Sequence, residues 1–152
     1  MIYIDVIFKT ILFLWLLVCT IQDIMKQEIS LIIILIGFIL LFTISIIQGK
    51  LLIWDRIGGL ALGVILILLN KITRGQIGLG DGLVLSITGI SLGFYINSLL
   101  LTYGLLCAAI FSVIYMFVKK ISRKKISRKK TIPFIPFIFI VLLGVLLDGK
   151  SL

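Results

Sequence analysis

Histidine is absent from the 152-residue chain. That absence excludes a Ser/His nucleophilic centre, a HExxH metal site and any imidazole proton relay. Cysteine occurs only at Cys19 and Cys107, both inside apolar runs and without a CxxC partner. These two read as small packing residues, not as a zinc site or a disulfide framework. No metal and no cofactor is expected. Charge is scarce as well. Only 14% of the residues are charged, and the acidic ones number six: Asp5, Asp23, Glu28, Asp55, Asp81 and Asp148.

What fills the chain instead is apolar: 61% of the residues are hydrophobic, in long runs separated by short charged clusters. A soluble domain of this size cannot hide so much apolar surface. The pattern predicts an all-α, polytopic membrane protein, a bundle of six transmembrane helices forming a single domain over residues 1–152. The helices are expected at about 4–24, 29–47, 52–70, two within the uncharged stretch 83–118, and 131–147. A break at Tyr95-Ile96-Asn97-Ser98 divides the uncharged stretch. Pro133 and Pro136 fall in the first turns of the last helix, where proline costs least. The first apolar run is expected to be retained rather than removed as a signal peptide. No small-residue cleavage site follows it, and Gln22-Asp23-Ile24-Met25-Lys26 leads directly into the next span. Gly59 and Gly63 form a small-xxx-small pair suited to close helix packing.

The formal net charge is +9, and eight of the fifteen basic residues lie in the loop 119–130. A basic loop between apolar spans is a topology signal rather than a nucleic-acid interface. With the N-terminus outside, the inner loops hold Lys26, Lys71, Arg74 and those eight residues. The outer side holds Lys9, Lys50, Arg56 and Lys150. The asymmetry predicts a multi-pass protein of the cytoplasmic membrane with both termini outside. The loop 119–130 is expected to touch anionic lipid headgroups, and no nucleic acid is expected as a partner.

The same topology sorts the carboxylates. Asp5, Asp55 and Asp148 fall on the outer side; Asp23, Glu28 and Asp81 fall on the inner side. Asp23 closes the first helix and Asp81 opens the fourth, which places them at similar depth on the cytoplasmic side. Two carboxyls brought close together share one proton, so that one can activate water while the other protonates a carbonyl oxygen. Such a pair hydrolyses a peptide bond without histidine or metal. A Ser30/Lys26 dyad is possible on paper, but its placement suggests a surface loop. The stretch Gly75-Gln76-Ile77-Gly78-Leu79-Gly80-Asp81-Gly82 has two readings. Its glycines let an extended substrate approach the backbone beside Asp81, or they form a flexible loop that ends in an N-capping aspartate.

Gly78-Leu79-Gly80-Asp81 at the start of a membrane helix resembles the GxGD motif of the prepilin peptidase family. Asp23 at the end of the first helix, with Ile29 six residues on, is similar to the family's first aspartate motif. Ile132-Pro133-Phe134-Ile135-Pro136-Phe137 resembles its Pro-Phe-Gly-Pro segment. The chain departs from the pattern at Ser30 and Leu31, where the family has Pro-Asn, at Leu83 in place of a lysine, and at Ile135 in place of a glycine.

The resemblance implies a membrane aspartyl endopeptidase that removes the short N-terminal leader of a prepilin-like substrate at the cytoplasmic membrane boundary. Asp23 and Asp81 would be the catalytic pair, with Gly78 and Gly80 shaping the backbone. The paired CxxC motifs of the longer members' methyltransferase region are absent, which implies cleavage without N-methylation. The alternative is a non-enzymatic transport or assembly subunit whose aspartates cap helices or bind a cation. Joint dependence of cleavage on both aspartates separates the two.

Overall fold

The computed structural model describes residues 2–73, 78–121 and 133–148. Most of the basic loop, at 122–130, lies outside the described residues, as do Arg74, Gly75, Gln76, Ile77 and Lys150. Five helices follow one another: α1 (Ile2–Lys26), α2 (Leu31–Gln48), α3 (Ile53–Ile72), α4 (Leu79–Ile121) and α5 (Ile135–Asp148). Among the described residues, four are long and apolar enough to cross a membrane, α1 to α4; α5 is apolar but has only 14 residues. The chain is an all-helical, multi-pass membrane protein.

Among the described residues the expected six helices become five, because helix continues through the uncharged stretch as a single 43-residue element. That element is not straight. Gly93 has φ 83° and ψ 175°, a backbone region that essentially only glycine enters. The break therefore falls at Gly93 and not at 95–98. It divides α4 into arms 79–92 and 94–121.

Buried polar bonds show how sharply the arms fold. Asn97 Nδ2 donates to the Leu85 carbonyl at 3.0 Å, yet along a straight helix those residues would stand about 18 Å apart. The same amide donates to Gly59 O at 3.0 Å, and the Thr88 hydroxyl donates to Asn97 Oδ1 at 2.8 Å. Asn97 thus ties both arms of α4 to α3 inside the apolar interior, where water cannot substitute. Asn97→Ala is expected to lower stability by about 2 kcal/mol, because membrane interhelical bonds contribute about 0.6 each and the orphaned carbonyls add to that. Denaturant titration of the purified protein in micelles checks this.

The residues that face inward follow helical spacing. On α1 the buried residues are Phe8, Leu12, Trp15, Leu16 and Cys19; on the first arm of α4 they include Val84, Leu85, Thr88 and Leu92; on α5 they are Ile135, Ile138 and Leu142. On α1 and α5 these recur every three or four residues, one stripe per helix, whereas on the first arm of α4 nearly every residue from Val84 to Leu92 is buried. The opposite faces carry exposed Val6, Leu14, Ile21, Leu35 and Ile65, which suits contact with lipid. α3 packs most extensively on α4. Its Gly59 meets the Gly89 backbone and its Gly63 meets Ser86, as the small-xxx-small spacing predicts. α1 packs closely on α2 and α5, while α4 packs on α2, α3 and α5. Among the described residues the first and fourth helices do not pack backbone to backbone; α2 and α5 each pack on both.

Candidate active site

Asp23 continues the buried stripe of α1, one turn beyond Cys19, and is itself only 7% exposed. Its position in the last turns places it near the end of α1 that also carries Lys26. Asp81 lies in the first turn of α4 and is half-buried. The helix starts at Leu79, so Asp81 is its third residue rather than the residue ahead of it. The capping-aspartate reading therefore does not describe its position. The carboxyl folds back over Gly78, where an added Cβ would lie 2.5 Å from Oδ2. A side chain at Gly78 would require the Asp81 carboxyl to move.

Three local features bring the two segments together. Gln27, with φ 55°, ends α1 in the left-handed region, and its N–H donates to the Asp23 carbonyl at 3.0 Å. The Gln22 side chain then accepts the Ser30 N–H at 3.0 Å, closing the short return into α2. This return carries Ile29 onto Gly80, whose added Cβ would lie 3.0 Å from Ile29 Cδ1. The third feature is α5. Its first residue, Ile135, donates its backbone N–H to Asp23 Oδ2 at 3.1 Å. A helix N-terminus has N–H groups with no partner in their own helix, and here one is satisfied by a carboxylate. The seat of Ile29 on Gly80 and the Ile135 bond to Asp23 bring these segments to one end of the bundle.

The geometry accounts for two departures from the family pattern. A proline at position 30 could not give the N–H that Gln22 accepts, so Ser30 and Gln22 work as a unit. Ile135 serves Asp23 through its backbone, and its side chain is fully buried in the core. A glycine there would supply the same N–H but not the packing. Neither Gln22, the left-handed Gln27, nor the Ile135 N–H was legible as a site feature in the sequence, since backbone donors and loop closure leave no residue-type signature. The proline flanks of Ile135 were the available signal.

The sequence profile of the type IV leader peptidase family matches residues 10–113, a span that includes Asp23, Ile29 and the 78–81 motif. The chain belongs to that family. No curated protein and no solved structure gives a match. As a leader peptidase it is a protease, and the family implies prepilin-like substrates. The matched span ends within the second arm of α4, so the 133–137 segment that reaches Asp23 lies beyond it.

Proposed function

We propose that this leader peptidase is an aspartyl endopeptidase in which Asp23 and Asp81 act as one catalytic pair. The observation that carries the reading is the convergence of the two motif segments: Ile29, six residues after Asp23, rests on Gly80, the residue before Asp81. The pair holds one proton between two carboxyls. The ionised member takes a proton from water as it attacks the peptide carbonyl, and the other protonates the carbonyl oxygen. Collapse of the tetrahedral species then sends a proton to the leaving amine. The roles belong to the pair rather than to either residue. Gly78 leaves room for the Asp81 carboxyl and Gly80 leaves room for Ile29.

The substrate is a prepilin-like chain with a short N-terminal leader ahead of an apolar helix, cut at the cytoplasmic boundary. Lys26 and Lys71, in the last turns of α1 and α3, support that orientation, as does the basic loop by its sequence position. The loop 119–130 serves anionic lipid and topology. The domain acts as one unit, without a cofactor, nucleic acid or N-methyl transfer.

The test is co-expression with a substrate bearing a basic leader and about 20 apolar residues, followed by mass spectrometry of its new N-terminus. Removal of the leader without N-methylation is expected, and a substrate that stays full length overturns the reading. Gly80→Val is a finer probe. Its branched side chain displaces Ile29, and cleavage is expected to fall about tenfold or more while insertion is unchanged, because small misplacements of reacting groups are costly.

A further inference from the structure

The end of the bundle away from the aspartates carries a polar cluster that leader removal does not use. Lys50 Nζ lies 2.8 Å from Asp5 Oδ2, and Gln48 Nε2 donates to Asp5 Oδ1 at 3.0 Å. Beside them is a cavity of about 140 Å³ between the start of α1, the 48–51 connection and the Gly93 turn of α4. Ser91 lines it. This residue is 2% exposed, and its Oγ has no hydrogen-bond partner among the described residues. Its carbonyl is already engaged by Ser45 Oγ at 3.0 Å, and Ser45 in turn is held by Arg56. The backbone around the hydroxyl is thus fixed, and Ser91 borders a preformed space. Buried hydroxyls ordinarily find a partner.

The lining defines the ligand chemistry. Two ammonium groups, Lys9 and Lys50, face one carboxylate, Asp5, leaving one positive charge in excess. Lys9 has no ion pair of its own among the described residues. Phe8, Leu92 and Ile96 form buried apolar walls. The fit is a group with one negative charge, several oxygens and short alkyl flanks. A phosphodiester joined to glycerol has all three, and its volume is of the right order for the space.

We propose that this cavity binds a glycerol phosphodiester, with its phosphate between Lys9 and Lys50 and a further oxygen on Ser91. The same chemistry reaches it either as the headgroup of an anionic phospholipid or as a free glycerophosphodiester. The site stands apart from Asp23 and Asp81 and does not depend on the catalytic reading.

The test is native mass spectrometry of the full chain released from detergent. The probes are phosphatidylglycerol, phosphatidylcholine with the same acyl chains, and water-soluble glycerophosphoglycerol. Phosphatidylglycerol is expected to be retained in preference to phosphatidylcholine. Lys9→Gln and Ser91→Ala are each expected to weaken it about tenfold, the effect of losing one hydrogen bond to a charged group. Lys71→Gln, at the far end, leaves binding unchanged. Variant-sensitive retention of the soluble diester assigns the source to solute; retention of the lipid alone assigns it to the bilayer. Equal retention of both lipids, or retention indifferent to both Lys9→Gln and Ser91→Ala, overturns the proposal. So does an equal loss in Lys71→Gln.

Discussion

Asparagine at either Asp23 or Asp81 is expected to reduce leader removal by at least about 10³-fold, equivalent to about 4 kcal/mol of transition-state stabilisation. The double variant is expected to be little worse than either single one. The amide keeps the size of the side chain and can still accept the Ile135 N–H through its oxygen, so the helices should stay in place. What it cannot do is take a proton from water or share one with the other carboxyl. Because the chemistry belongs to the pair, losing one member removes nearly everything the pair supplies, and the second loss adds little. The measurement is the fraction of substrate processed in membranes over a timed chase, with insertion of each variant verified by detergent extraction and size exclusion. Substantial cleavage by either single variant would show that the two carboxyls do not act together.

The second large effect is on stability. Gly59→Leu is expected to cost about 3 kcal/mol or more, enough to prevent recovery of a folded protein from mild detergent. An added Cβ at Gly59 would collide with the Gly89 backbone, and the reciprocal is true at Gly89. Backbone on both sides leaves nothing flexible to move. Gly58 is the internal control. The nearest atoms to its Cβ would be those of the Phe94 side chain, at 3.2 Å and beyond, and Phe94 is 47% exposed. Gly58→Ala is therefore expected to change stability by less than about 1 kcal/mol. Thermal unfolding of the three proteins in one detergent decides it. Equal losses at the two adjacent glycines would mean that the α3–α4 seam is not where the tight packing lies.

Much of this architecture was legible because membrane helices announce themselves by length and charge placement. The first three spans fall within about two residues of their expected bounds, and the small-xxx-small pair in α3 packs as its spacing suggests. Charge counting puts Asp23 and Asp81 at helix ends on the same side of the membrane, and the GxGD motif marks the second independently. The turn inside α4 was placed two residues late for a physical reason. Tyr95-Ile96-Asn97-Ser98 is the more polar segment and looks like a boundary, but Asn97 is fully buried and holds the fold together. The residue that permits the reversal is Gly93, which has no polarity to betray it. Arg56 entered the sequence reading only as a charge. In the fold its guanidinium donates to the Ser45 hydroxyl and carbonyl and to the Ile90 carbonyl, so it joins α2, α3 and α4. Side-chain cross-links between distant segments have no local pattern, and topology counting cannot see them.

The unequal arms of α4 have a consequence for the shape of the lipid surface. Asp81 and Gly104 stand about equally far from the Gly93 reversal, and Gly104 packs beside Phe134 and Ile138, close to the Ile135 N–H that Asp23 holds. The longer arm does not stop there. It continues through exposed Val113, Ile114, Met116, Phe117 and Val118, about 20 Å past Gly104 along its axis. Greasy turns like these belong in hydrocarbon, whereas α1 ends within a few residues of Asp23 and α3 ends at Ile72. The long arm of α4 thus offers lipid an apolar surface that α1 and α3, which end nearer the level of the acids, do not match.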